Sequence, residues 1–140
     1  MKKTILILSA SLALYASCSK DESPAPAPAQ SDIIGKWSIE YTRFQGSVEG
    51  HLIDSTTPGN PGDYFDVRND GYAYSYFENS YDTTGYKVLE NNSKIVFIYR
   101  DDPDSPDTID IKTLTKNSLV LYQKTQEGPD YIEVTQSLKK

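Results

Sequence analysis

From Ile33 to the C-terminus the chain runs in short alternating segments, each ended by Gly, Pro, Asn or Asp, and no stretch keeps a 3.6-residue period. Successive strand side chains point to opposite faces, so each segment predicts a half-buried strand. Trp37, Ile39 and Tyr41 share one face, against Ser38, Glu40 and Thr42 on the other. Residues 48–53 form a weaker run around His51. Phe65 and Val67 alternate with Asp66 and Arg68, and Asn69-Asp70-Gly71 supplies a hairpin turn. The return strand carries Tyr72, Tyr74 and Tyr76 on one face, with Ala73 and Ser75 on the other. Further runs fall at 86–89, 94–99, 109–112, 119–122 and 132–134. The pattern predicts an all-β fold, an antiparallel meander of about eight or nine short strands of roughly six residues each. Such a meander closes most simply into a small up-and-down barrel, because closure removes exposed edges.

Composition narrows the chemistry. The chain has 140 residues, enough for one domain. A single Cys excludes an internal disulfide framework or a Cys-rich zinc site, and a single His excludes a multi-His metal centre. A net charge of −6 and a pI near 4.7 leave no basic surface to track phosphates, so nucleic acid is not an expected partner. Eleven Tyr and four Phe agree with strands rather than a helical bundle.

The first residues give an address. Lys2 and Lys3 form a positive n-region, and 4–14 form an apolar stretch too short to span a bilayer, which reads as a signal peptide over 1–17. Leu14-Tyr15-Ala16-Ser17-Cys18 follows directly and resembles a bacterial lipobox, which implies a lipidated Cys18 as the mature N-terminus. Each buried CH₂ of an acyl chain contributes about 0.8 kcal/mol, so a multiply acylated cysteine anchors a domain to a membrane. Ser19-Lys20-Asp21-Glu22 then resembles the signal that exports Bacteroidetes lipoproteins to the outer face of the outer membrane. Removal of Lys2 and Lys3 with the signal peptide takes the net charge from −6 to −8, so anionic headgroups repel the domain. Ser23-Pro-Ala-Pro-Ala-Pro-Ala-Gln30 predicts an extended spacer, and 18–32 as a whole reads as lipidated Cys plus tether. The folded domain is expected over 33–138.

Gly35-Lys36-Trp37 at the first strand, the hairpin of 65–71 and the late Leu114-Thr115-Lys116-Asn117-Ser118-Leu119 segment together resemble the small lipocalin-like lipoproteins of Bacteroidetes, over most of 33–138. The resemblance implies a lipocalin-like barrel in which Trp37, entered through Gly35, plugs the closed end. Read from the residues alone, a lone Trp on an apolar strand face is also core rather than a ligand platform.

No catalytic constellation emerges. Most acids alternate outward (Glu40, Asp66, Asp110, Glu133) or sit in turns, which suits a solvated face better than a glycosidase pair. The acidic stretch 101–107 lacks the glycine and terminal glutamate of an EF-hand loop and contains two prolines, so it reads as a turn, and no metal or cofactor is expected. His51 has no nucleophile to activate. Tyr72, Tyr74 and Tyr76 are the ligand-binding candidates, since three phenols on one face line either the barrel interior or an outer platform for sugars or a protein; cross-strand packing in the core is the plainer reading. Asp54-Ser55-Thr56, Asp82-Thr83-Thr84 and Asp107-Thr108-Ile109 resemble the O-glycosylation motif of Bacteroidetes envelope proteins, which marks Ser55, Thr83 and Thr108, each expected in a turn or at a strand start. The sequence therefore predicts a non-enzymatic, surface-displayed outer-membrane lipoprotein whose barrel binds a small apolar or sugar-like ligand. The alternative is an accessory lipoprotein docking on an outer-membrane protein through an exposed aromatic face. Short strands in a small barrel predict little interior space and a shallow site near the rim.

Overall fold

The computed structural model describes residues 32–140. They form nine strands: β1 (Gly35–Val48), β2 (His51–Pro58), β3 (Tyr64–Val67), β4 (Tyr72–Phe77), β5 (Ser80–Leu89), β6 (Lys94–Ile98), β7 (Asp107–Leu114), β8 (Ser118–Glu127) and β9 (Asp130–Lys139). All neighbours are antiparallel, and β1 pairs with β9, so β1 and β3 to β9 close into an eight-stranded barrel. The signal-peptide, lipobox and export-signal readings, with Cys18 and nearly all of the tether, lie outside the described residues.

The ninth strand results from the length of β1. Its first four residues pair with β3, from Gly35 opposite Val67 to Ser38 opposite Tyr64, whereas 41–48 pair with β2 along the same edge. β2 is thus a hairpin arm on β1 rather than a barrel stave. The expected run over 48–53 is the tip of this hairpin: β1 ends at Val48, and Glu49 and Gly50 both take positive φ, the two-residue turn that suits strand twist.

A bulge also corrects the facing of β1. The pairing with β9 shifts register between Ile39 and Tyr41, so Glu40 is an extra residue. Ile39 opposite Leu138 faces inward with Trp37, but beyond the bulge Thr42 and Phe44 take the inward phase, opposite Gln136 and Val134. Tyr41 therefore does not share the face of Trp37 and Ile39. The bulge is pinned by Ser137, whose hydroxyl donates to Glu40 Oε2 at 3.0 Å.

Several strands are longer than expected: β1 has 14 residues, and β5, β8 and β9 have 10 each. The core fills only one end. Ile33, Trp37, Val67, Ile95, Leu119 and Leu138 are its fully buried large side chains. The turns joining β3–β4, β5–β6 and β7–β8 lie at that closed end; the β1–β2, β4–β5 and β8–β9 turns and the β6–β7 connection lie at the other. Tall staves with a core at one end leave space at the other.

Candidate functional site

The site grows out of the inward phase of β3, β4, β5 and β6. Phe65 sits opposite Ser75, and Ser75 opposite Asp82, which places all three on one inner layer. Phe77 and Ser80 form the next layer toward the open end. Phe65 and Phe97 meet edge to face, with ring centroids 5.5 Å apart, and both contact the core below and the space above. Above them is a cavity of about 390 Å³.

Its apolar wall comes from Phe65, Phe77, Phe97, Ile109, Leu121 and Val134. Its polar groups are Ser75, Ser80, Asp82, Thr84, Gln123 and Gln136, with Tyr99 at the rim. An apolar chamber with a few convergent polar groups has the make-up of a small-molecule site, and the volume falls within the range such sites occupy. The volume lies near the low end of that range, and the cavity opens at the rim above the core, where strands of ten or more residues raise the wall beyond what the core fills.

Tyr99 is the most perturbed of these groups. Its hydroxyl donates to Asp107 Oδ2 at 2.8 Å. Burial pushes the phenol up to about 12, assisted by the hydrogen bond and charge of Asp107 and by the charge of Asp82. The hydroxyl donates to one carboxylate at the mouth and lies within the field of the other.

Tyr72, Tyr74 and Tyr76 do not line this cavity. They occupy the outward phase of β4, and Ala73, Ser75 and Phe77 point inward between them. Tyr74 donates to Asp70 Oδ2 at 3.0 Å under the Arg68 guanidinium, 4.1 Å from the ring centroid, and that hydrogen bond, with partial burial and the Asp70 charge, raises its pKa. Tyr76 lies between Tyr64 and Tyr81, at centroid distances of 5.9 and 4.6 Å, with Lys36 capping Tyr64. Tyr72 is 49 % exposed and borders an outer groove of about 710 Å³ beside Thr83, Lys87 and Arg100. The three phenols are an outer surface rather than core packing.

Trp37 has no exposed surface, and its Nε1 donates to the Ile33 carbonyl at 2.7 Å. Gly35 beside it has a φ of +132°, so the backbone calls for glycine, while a Cβ there would meet only the far end of the flexible Lys140 side chain at 3.0 Å. Ser55, Thr83 and Thr108 are all exposed. Ser55 and Thr83 lie within β2 and β5 rather than in turns, because both strands extend further than their polar sequences suggest; Thr108 is the second residue of β7. His51 is exposed at the start of β2. Among the described residues no three His, Cys, Asp or Glu side chains gather where they could hold a metal ion.

Asp82, Tyr99, Gln123 and Gln136 line the cavity but do not stand out in the sequence as site residues. A signal existed: Asp82, Thr84, Tyr86 and Val88 alternate, but only the apolar half stood out as a strand.

Neither a protein-family model nor a curated protein matches this chain. Solved structures similar in chain path include the bovine lipocalin allergen Bos d 2, 22 % identical, with a TM-score of 0.48 over 79 % of this chain and 73 % of that one. A lipocalin-like protein from Bacteroides uniformis ATCC 8492 is 13 % identical, with a TM-score of 0.44 over 78 % and 98 %. A deswapped triple mutant of bovine odorant binding protein is 16 % identical, with a TM-score of 0.47 over 79 % and 74 %.

Proposed function

We propose that the protein is a lipid-anchored, non-enzymatic binding module of the bacterial outer-membrane surface that takes one small, largely apolar ligand into the open end of a lipocalin-like barrel. The cavity of about 390 Å³ over the Phe65–Phe97 pair carries this reading. Its wall supplies apolar area, and Ser75, Thr84, Gln123 and Gln136 supply hydrogen bonds that fix orientation. The lipobox-like residues ending at Cys18 and the Lys20-Asp21-Glu22 run support the anchor and its outward display. Ser55, Thr83 and Thr108 belong to the same reading as glycosylation acceptors, since their side chains are accessible.

The test is a fluorescence titration of the full chain with N-phenyl-1-naphthylamine, a neutral apolar probe. Saturable binding that Ser75→Trp abolishes supports the reading, because the indole would occupy the chamber. Binding unchanged by Ser75→Trp in a protein of unaltered circular dichroism would reject it.

One observation favours a second reading, docking on an outer-membrane protein: Tyr81 is 77 % exposed at the end of the Tyr64–Tyr76–Tyr81 row. Exposed aromatics of this kind serve as interface anchors. Loss of a crosslinked membrane partner on Tyr81→Ala, with probe binding intact, would establish it.

A further inference from the structure

The cavity is one-sided in charge. Among the described residues that line it there is a carboxylate, Asp82, and no Lys, Arg or His. Asp82 Oδ1 accepts the Thr83 amide at 2.7 Å, while no ion pair in the described residues uses this carboxylate. A second carboxylate, Asp107, stands at the rim holding the Tyr99 hydroxyl. The lysines and arginines that form ion pairs are matched to other acids: Arg43 to Asp54, Arg68 to Asp66, Lys94 to Glu90, Lys112 to Asp110, Lys124 to Glu133 and Lys139 to Glu40. Lys87 and Arg100 enter no ion pair among the described residues, but both line the outer groove beyond Tyr99 rather than the cavity, whose own lining holds no cation.

Aromatic rings surround these carboxylates: Phe65 shares the layer of Asp82, Phe77 stands one layer nearer the open end, and Phe97 and Tyr99 line the neighbouring wall. Aromatic faces attract cations and carry a flat apolar body equally well. A ligand carboxylate entering here would face the solvent-exposed Asp82 and the half-buried Asp107 with no positive group in the cavity lining to receive it. An ammonium would meet a free carboxylate oxygen, hydroxyls and amide carbonyls.

We propose that this cavity selects organic cations, a protonated amine on an apolar or aromatic body, over carboxylates of the same shape. The inference rests on the ligand-binding reading above and adds the chemical class of the ligand. Asp82 is the selecting residue. Tyr99, its hydroxyl donated to Asp107, adds its ring to the wall beside Asp82.

Three isosteres separate the possibilities: tryptamine, tryptophol and indole-3-propionate, titrated calorimetrically into the full chain at low and moderate salt. Tryptamine should bind at least about tenfold tighter than indole-3-propionate, roughly what one close ion pair at a partly solvated site supplies. Tryptophol should fall between, and added salt should narrow the spread. Asp82→Asn should cost tryptamine most of its advantage over tryptophol and indole-3-propionate and weaken the salt dependence of its binding. Indole-3-propionate binding as tightly as tryptamine, or a tryptamine preference that survives Asp82→Asn, overturns the charge selection. Tryptophol binding that is lost in Ser75→Trp but shows no charge preference across the series would leave the cavity reading standing and reject only this inference. Failure of all three compounds to bind in a manner sensitive to Ser75→Trp would reject both.

Discussion

The Lys140 ammonium lies 4.3 Å from the centroid of the Trp37 ring and donates to the carbonyls of Asp32 and Ile34, at 2.9 and 2.8 Å. The last residue of the chain thereby closes over the first turn of the domain. Trp37 donates back to Ile33, so one aromatic ring, one cation and three carbonyls seal the end of the barrel opposite the cavity.

Trp37→Ala should destabilise the domain by about 3–5 kcal/mol, the range for truncating a buried aromatic. Trp37→Phe keeps most of the packing and orphans the Ile33 carbonyl, so about 1–3 kcal/mol is expected from that change. Lys140→Ala should cost only about 1 kcal/mol, because the cation–π contact is near the surface. Urea midpoints at constant slope measure all three, and a Trp37→Ala loss below about 1 kcal/mol would mean the ring seals nothing.

Barrel closure rests on a second close approach. A Cβ on Gly46 would stand 2.1 Å from the Tyr131 carbonyl oxygen across the β1–β9 seam. Backbone cannot yield there without parting the strands. Gly46→Val should cost about 1–3 kcal/mol or more and weaken amide-exchange protection along 41–47 and 131–137. Ser47→Val, one residue on and in the outward phase, should be close to neutral; equal losses in the two variants would remove the seam as the cause.

The contrast between these regions explains what could be read from the sequence. Asn69-Asp70-Gly71 announces its turn, and Val67, Ile95, Ile111 and Leu119 announce the core, because burial makes one strand face apolar. The bulge at Glu40 depends on pairing with Ser137, 97 residues away, and local alternation carries no trace of it. The cavity is harder still. Its lining is inward yet solvated, so Ser80, Asp82, Gln123 and Gln136 stand where a packed barrel would have apolar residues. The period-two signal fades where the candidate site begins, and the phenols of β4, which do alternate cleanly, drew attention to the outer face instead.

The anchor has its own check. Cys18→Ser should move the protein from the membrane to the soluble fraction, since acyl chains on Cys18 are the hydrophobic attachment proposed for it. Retention of the variant in washed membranes would contradict lipidation as that attachment.

The last prediction concerns alkaline pH and Tyr99. An unperturbed tyrosine titrates near 10, and this phenol is held up to about 12 by burial, by the hydrogen bond to Asp107 and by the charges of Asp107 and Asp82. The folded state therefore binds the phenolic proton more tightly than the unfolded chain does. Its stabilising contribution is fully present below about pH 10 and is lost as pH rises from about 10 toward 12. Tyr74 and Tyr86 are also shifted upward, Tyr74 chiefly by the Asp70 hydrogen bond and Tyr86 chiefly by burial, but both are common to wild type and variant. The difference between wild type and Tyr99→Phe isolates one group. That difference in unfolding free energy should be flat up to about pH 10 and shrink above it, while ultraviolet difference spectra show one late-titrating phenol missing from the variant. Asp107→Asn should move that phenol to lower pH, because it removes the nearer charge and leaves only a neutral amide oxygen as acceptor. A phenol that ionises near pH 10 in the folded wild type, unchanged by Asp107→Asn, would show that Tyr99 is not held between the two carboxylates at the mouth of the barrel.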